Sequence, residues 1–558
     1  MALAPVYSAA RSTETEQPVT ETGTISVELP PSRAWSRVLA HRHAIALGAI
    51  VSASLIFRLH VSSECSLWID EVSTVQDTYA SWPELLRGPS REHPPLMFWL
   101  VRIVTEIFGK GDLAVRSVSL GFGCVLLVAI YLLCVELELG RNKALVVVGS
   151  FALTPFFVRH ATEARMYAMV GALVTLATVY ALRLLRGPLT RGALVGFALS
   201  SVAAAATHFF ALGYALALWG AVVVGTIRRW KFGTLPRRER VEVASIVGVS
   251  FALLGLVALD LAGLVRFYST HEFGGRAAHH FNTQSVWRAF SFVARPRWPL
   301  EIEAAISAAG LLLVAVRRRG MAGIVPGALA FTPVAVATLL SSGHMLTPRY
   351  LWPSFVFYHV GEVAALLGVL ELLARCIVRL GRFARPVSAL VWLALLVPLD
   401  VRLREYPVGF GAGGANYRGL QAYFRGPRAQ DTALVVFVGY AGLRIMGLQY
   451  PVPHLMSLEA FEPIPGIRRY LIAEFHASDP RLNARLFPLL KRHFGLSRAA
   501  WRALRPVPLP GTRYQPPPRA RLVILDPVTP TPEGDAPTGS NEGDTARMPE
   551  GSGDGDED

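Results

Sequence analysis

The sequence predicts an all-α polytopic membrane protein of about eleven transmembrane helices, followed by a small C-terminal extracytoplasmic α/β domain. Composition carries the membrane part. Of 558 residues, 52% are hydrophobic and 17% charged, where a soluble chain carries about a quarter charged residues. Mean hydropathy is +0.39. The apolar residues also fall in blocks of roughly 17–25, the length that crosses a hydrocarbon core of about 30 Å. A change of texture after residue 400 predicts the terminal domain.

Spans are predicted near 43–60, 115–138, 143–158, 166–186, 192–206, 209–227, 243–264, 302–316, 322–341, 351–374 and 385–400. The apolar run over 192–227 is too long for one span, and Thr207-His208 at its middle is the expected tip of a tight hairpin. Residues 1–40 are read as a disordered cytoplasmic arm. The first thirty are polar and rich in Ser, Thr and Glu, without the apolar stretch and cleavage site of a signal peptide.

Loop charge sets the orientation. Alternate connections carry Arg141 with Lys143, Arg183 with Arg186 and Arg191, Arg228 through Arg240, Arg317 through Arg319, and Arg375 through Arg385. Arg33, Arg37 and Arg42 join this cytoplasmic set ahead of the first span. The expectation is therefore a multi-pass protein of the cell membrane, with the amino terminus cytoplasmic and the carboxyl terminus extracytoplasmic. The net charge of +15 follows from this topology, and no nucleic-acid partner is expected. The four Cys form neither a disulfide framework nor a metal-type pair.

Three stretches fall on the outer side: 61–114, 265–301 and everything after 401. The first is too long for a mere connector. Its segment Leu96 to Phe108 is apolar but too short to span, and suits a helix in or dipping into the interface. Within 401–529, Thr432 to Val438 and Ala520 to Leu525 read as strands around helical patterns. Residues 530–558 are Gly, Pro, Asp and Glu with almost no apolar content, an acidic tail disordered by composition.

The outer connections hold many polar groups close to the membrane. Asp70-Glu71 follows Leu67-Trp68-Ile69, then His93-Pro94-Pro95 and Arg116. Glu163, Arg165 and Tyr167 lie between two spans, His208 at the hairpin tip, and His344, Arg349 and Tyr350 before the tenth span. Singly, each has an ordinary reading as a solvated helix end, an interfacial anchor or a rigid turn. Together on one side they can partner one another or a phosphate, as ionisable groups near a membrane must.

In order and spacing these segments resemble the GT-C membrane glycosyltransferases of the protein O-mannosyltransferase and aminoarabinose-transferase type (glycosyltransferase family 39). The resemblance runs through Leu67-Trp68-Ile69-Asp70-Glu71, His93-Pro94-Pro95-Leu96, Ala114-Val115-Arg116-Ser117, Glu163-Ala164-Arg165-Met166-Tyr167-Ala168, Thr207-His208-Phe209-Phe210-Ala211 and Arg349-Tyr350-Leu351. It covers about residues 45–375. It implies a GT-C-like membrane domain over 41–400 with its catalytic first loop at 61–114, and a polyprenyl-phosphate-linked sugar as donor. Independently, the sequence offers no Gly-rich phosphate loop after a strand and no soluble nucleotide-binding domain, so no nucleotide cofactor is expected.

The expected reaction is one inverting displacement onto an extracytoplasmic acceptor, whether protein, lipid or glycan, with membrane lipids as surroundings. Asp70, Glu71 and Glu163 are the candidate catalytic carboxylates, with Asp70 as general base. Glu71, about 100° further round a helix, is expected to brace the site. Arg349, Arg165, His93 and Arg116 are the candidate phosphate ligands. His208, Tyr167, His344 and Tyr350 are candidate substrate contacts. The carboxylates and imidazoles would suffice for Mg²⁺, Mn²⁺ or Zn²⁺, but no ligand spacing selects one. The alternative is a transporter or flippase of lipid-linked sugars, which would place polar groups near the midplane in related halves. No such repeat is visible here.

Overall fold

The computed structural model describes residues 33–87, 93–187, 189–229, 237–270, 300–318, 321–340, 351–379, 417–425, 431–437, 454–458, 461–465, 467–474, 480–504 and 519–524, with Val452 and Val507. Leu-, Ala- and Val-rich blocks fold as α1 (Arg33–Glu64), α5 (Asp112–Glu136), α6 (Arg141–Ala152), α7 (Pro155–Thr162), α8 (Tyr167–Arg186), α9 (Arg191–Ala205), α10 (Phe209–Arg229), α11 (Arg237–Thr270), α12 (Leu300–Arg318), α13 (Met321–Leu340) and α14 (Trp352–Arg379). Between α1 and α5 the first loop holds α2 (Ile69–Thr78), α3 (Trp82–Arg87) and α4 (Leu96–Phe108). Ten of the predicted spans thus coincide with helical segments. The eleventh, 385–400, lies outside the described residues, as do 1–32, 271–299, His344, Arg349, Tyr350 and the acidic tail.

Among the described residues, five helices are long and apolar enough to cross a membrane, and α6 with α7 would make a sixth if that bent pair is one span. Shorter apolar helices lie at Arg191–Ala205, Phe209–Gly225, Ala304–Arg317 and Ala322–Pro333. The predicted span over 143–158 falls on two helices bent by 68° at a short break. Pro155 explains the break. It disfavours helical backbone at the preceding residue, and Thr154 is extended (φ −71°, ψ 131°). The Thr154 hydroxyl then accepts from the Phe157 N–H at 3.4 Å and starts α7 afresh.

The bundle is organised around α8. Of its apolar window 83% is buried within the protein, against 17% for α1 and for α11. α11 instead turns Val249, Phe251, Leu253, Leu256 and Leu259 outward. A contiguous apolar surface of that kind matches a lipid-facing helix. α12 and α14 approach closely enough that a Cβ on Gly310 would collide with the Gly361 carbonyl, a small-residue contact typical of membrane helices.

Two tethers show that α5 and α8 run parallel. Ser119 donates to the Arg165 carbonyl at 2.9 Å near their starts, and Arg183 meets Glu136 at 2.7 Å near their ends. α1 runs antiparallel to α5. Its fully buried Arg58 donates to the Leu120 carbonyl at 3.1 Å and to Cys124 Sγ at 3.2 Å, with the guanidinium over the Phe157 ring. The end of α1, the starts of α5 and α8, and the α9–α10 tip therefore share one end of the bundle. The basic Arg183–Arg186 segment sits at the other.

After residue 416 the described chain forms α15 (Tyr417–Phe424), β1 (Thr432–Phe437), β2 (Leu455–Ser457), β3 (Arg469–Glu474), α16 (Pro480–Phe494), α17 (Arg498–Ala503) and β4 (Arg519–Ile524). The four-stranded sheet has order β2-β1-β3-β4. β1 is parallel to β2 and β3, and β4 is antiparallel to β3. Alternation sorts the strands' faces. Ala433, Val435, Tyr470, Ile472 and Val523 form a core with Leu486, Leu490 and Trp501 of the two helices. Leu434, Leu471 and Ala473 belong to the core that is continuous with the bundle.

Candidate active site

The acidic pair after α1 starts helix α2, where the helix dipole favours carboxylates. Adjacent positions then diverge. Glu71 is fully buried, while Asp70 is half-buried. Both Glu71 oxygens are used: Oε1 accepts from Arg116 Nε at 2.7 Å and from the Ala164 backbone N–H at 2.7 Å. Oε2 accepts from Arg116 Nη2 at 2.8 Å and from the Trp68 backbone N–H at 3.1 Å, the carboxylate half of a capping box.

Arg116, 3% exposed, donates its remaining N–H groups to three carbonyls. Nη1 reaches Ser62 O at 2.8 Å and Cys65 O at 2.7 Å, and Nη2 reaches Ser66 O at 3.0 Å. These carbonyls lie at and just beyond the end of α1, where helix carbonyls lose their own partners. Arg116 thus closes the C-terminus of α1 and clamps α2 to it. With all five donors on protein oxygens, it has none for a phosphate. The expectation that Arg116 binds the donor phosphate is corrected to positioning.

Arg165 joins the two sides of the site. Its Nη1 donates to the Asp70 carbonyl and to Thr74 Oγ1, both at 3.1 Å, and its Nη2 to His93 Nε2 at 3.0 Å. An arginine only donates, so His93 Nε2 accepts and the ring's proton sits on Nδ1. In this contact His93 is the acceptor and stands directly beside the guanidinium. The loop carrying it is tied to the hairpin tip by the Leu96 N–H, which reaches the Ala206 carbonyl at 3.2 Å. His208 lies next to it, with ring centroids 5.4 Å apart, and Tyr167 follows at 6.4 Å from His208. His208 Nδ1 accepts from the Phe210 N–H at 3.2 Å.

Beyond Tyr167 come two residues that the sequence reading passed over. His160 packs edge-on against Tyr167 at 5.0 Å and hydrogen-bonds Glu163 Oε2 through Nδ1 at 3.0 Å. Arg159 Nε donates to Glu163 Oε1 at 3.1 Å. Burial opposes ionisation of Glu163, and the neighbouring His160 and Arg159 outweigh it, bringing the carboxyl down to about 2. Their spacing, three and four residues before Glu163 on one helical turn, was a readable signal. Trp352, also missed, packs against Phe156 at 4.6 Å and His160 at 5.4 Å. A Cβ on Gly171 would overlap its indole, so only glycine admits that ring against α8.

The structure therefore connects Asp70, Glu71, His93, Arg116, Glu163, Arg165, Tyr167 and His208 at one end of the bundle. His344, Arg349 and Tyr350 lie outside the described residues. Glu71 and Glu163 are already matched by guanidinium and imidazole groups. Among the described residues no group of three or more His, Cys, Asp or Glu is arranged to hold a metal ion.

Comparison with known proteins bears on the same segments. Residues 92–232 match the family model described as dolichyl-phosphate-mannose-protein mannosyltransferase. That stretch holds His93, Arg116, Glu163, Arg165, Tyr167 and His208. No curated protein matches the chain. Among solved structures, the apo oligosaccharyltransferase of Archaeoglobus fulgidus aligns with TM-score 0.50 and 12% identity, over 86% of this chain and 76% of that one. ArnT from Cupriavidus metallidurans bound to undecaprenyl phosphate aligns with TM-score 0.49 and 14% identity, over 87% of this chain and 98% of that one. The archaeal oligosaccharyltransferase AglB from A. fulgidus, in complex with an inhibitory peptide and a dolichol-phosphate, gives 0.46 and 12%, over 84% and 73%. At these identities the likeness concerns the fold. In the 92–232 segment and in its fold, the chain resembles the GT-C membrane glycosyltransferases.

Proposed function

We propose that this chain is a membrane glycosyltransferase that moves a sugar from a polyprenyl-phosphate carrier to an extracytoplasmic acceptor. One observation carries the reading. The half-buried Asp70 stands beside a carboxylate locked in place by four hydrogen bonds, and its own backbone is gripped by the Arg165–His93 pair. A rigid carboxylate next to fixed positive charge suits general-base attack with an anionic leaving group.

In the proposed step, the acceptor O–H gives its proton to Asp70 as the oxygen attacks the anomeric carbon. The bond from that carbon to the phosphate oxygen breaks, and polyprenyl phosphate leaves with the electron pair. The configuration inverts. Phosphate needs no strong general acid; the charge appearing on it is balanced by Arg165 and Arg349. Glu71 and Arg116 position α2 without touching substrate. His208, Tyr167, His344 and Tyr350 are assigned to substrate contact, and Glu163 with His160 orients the acceptor. The amino terminus is cytoplasmic and the site faces outward, where no nucleotide sugar is available and a membrane-borne donor is.

The test uses purified protein in liposomes containing polyprenyl-phosphate sugars extracted from the source cells. Release of polyprenyl phosphate together with a glycosylated acceptor is the expected result. Movement of intact donor between leaflets without its cleavage would instead establish the transporter reading.

A further inference from the structure

We propose that the basic outer surface of the α16–α17 pair is a docking site for the acidic segment 525–558 of the same chain. Between Pro480 and Arg505 the sequence carries seven Arg or Lys and no Asp or Glu. The apolar side of this unit is already occupied. Leu486, Leu490 and Trp501 are buried against the sheet. That packing leaves Lys491, Arg492, Arg498 and Arg502 exposed on the outside. Arg498 also lies over the Phe487 ring at 4.8 Å.

A patch this one-sided repels itself, and it attracts anions of matching reach. The chain supplies such an anion next to it. Residues 525–558 contain ten Asp or Glu against a single Arg, Arg547. This segment begins directly after β4, whose Val523 packs in the same core as Trp501 and Leu486. The acidic segment is therefore tethered to the same sheet that packs against the helices bearing the positive charge. A coil of this length spans roughly 30 Å on average, and a tether of that reach gives local concentrations on the order of millimolar. No apolar stretch of span length lies between Arg505 and Asp558, so patch and segment share one side of the membrane. This holds whether or not the chain transfers sugar.

The consequence is an electrostatic cover. The segment occupies the basic face at low ionic strength and yields it to a denser polyanion, such as a phosphate-rich glycan or an anionic lipid surface. Screening weakens the cover because the Debye length falls from about 10 Å at 0.1 M salt to about 3 Å at 1 M.

Lysine scarcity makes this directly testable. The chain has only Lys110, Lys143, Lys231 and Lys491. Zero-length carbodiimide coupling of the purified full chain in detergent, read by peptide mass spectrometry, joins carboxylates to lysines in contact with them. Lys110, exposed in the first loop, is the internal control. Peptides from 525–558 are expected on Lys491 at least several-fold above Lys110, at a yield independent of protein concentration. That yield should fall about tenfold in 1 M NaCl as screening sets in. Arg492→Glu with Arg502→Glu should remove the coupling while Lys491 stays reactive to a soluble amine reagent. Equal coupling of both lysines, coupling that ignores salt, or none at Lys491 would overturn the proposal. Loss of coupling only when phosphatidylglycerol vesicles are added would confirm that the segment and a lipid surface compete for the patch. Strong vesicle binding with no coupling in their absence would reassign the patch to lipid.

Discussion

Arg116→Ala is expected to destabilise the protein more than any other single substitution near the site. The side chain donates five hydrogen bonds, two to Glu71 and three to the carbonyls of Ser62, Cys65 and Ser66. Its removal strands a fully buried carboxylate and reopens the end of α1. Breaking one side of a buried ion pair costs about 3–5 kcal/mol. Arg116→Lys should rescue little, because an ammonium cannot reproduce the planar fork that meets both Glu71 oxygens. Thermal unfolding in detergent is the check, with Glu71→Ala and the double variant completing a cycle. The double variant should be less damaged than the two single losses added together, since it leaves no stranded charge. A melting temperature within ~1 °C of wild type for Arg116→Ala would remove this pair as the anchor of the first loop.

Asp70→Asn should have the largest effect on chemistry and almost none on folding. The described contacts of Arg165 and Thr74 to this residue are made through its backbone carbonyl, which asparagine keeps. Loss of a positioned general base lowers turnover by roughly 10²–10⁴-fold. Donor affinity and melting temperature should stay near wild type, which separates this variant from Arg116→Ala. The measurement is single-turnover release of polyprenyl phosphate beside direct binding of the donor lipid. Turnover within about threefold of wild type would take the base assignment away from Asp70, as would a matching loss of donor binding.

Hydropathy made the helices legible because each apolar block must satisfy its backbone internally to lie in a membrane, which leaves helix as the only local answer. Short apolar runs containing β-branched residues marked β1 and β4. The break between α6 and α7 was missed although Pro155 is plain in the sequence. Apolar content runs straight through 143–158, and hydropathy averages over a bend.

The site was legible as a set of residues and less so as a set of roles. Asp70 and Glu71 are neighbours in sequence, yet one helical step separates a half-buried carboxylate from a fully buried one. Arg116 looked like a phosphate ligand because a guanidinium's partners lie in three dimensions. Here they are carbonyls about fifty residues earlier, and backbone carbonyls leave no mark on a sequence. His93 was expected to face a phosphate, and its described partner is the Arg165 guanidinium. Arg159 and His160 carry no motif of their own; their role comes from lying one helical turn before Glu163, whose charge they balance.

The central claim is that Asp70 activates the acceptor for direct displacement of a lipid phosphate, and the stereochemistry of the product reports on it. The anomeric configuration of the transferred sugar, read from its NMR coupling constants against those of the donor, is predicted to be inverted. Retention would require a covalent glycosyl intermediate, and so would contradict the single displacement on which the roles of Asp70 and Arg165 depend.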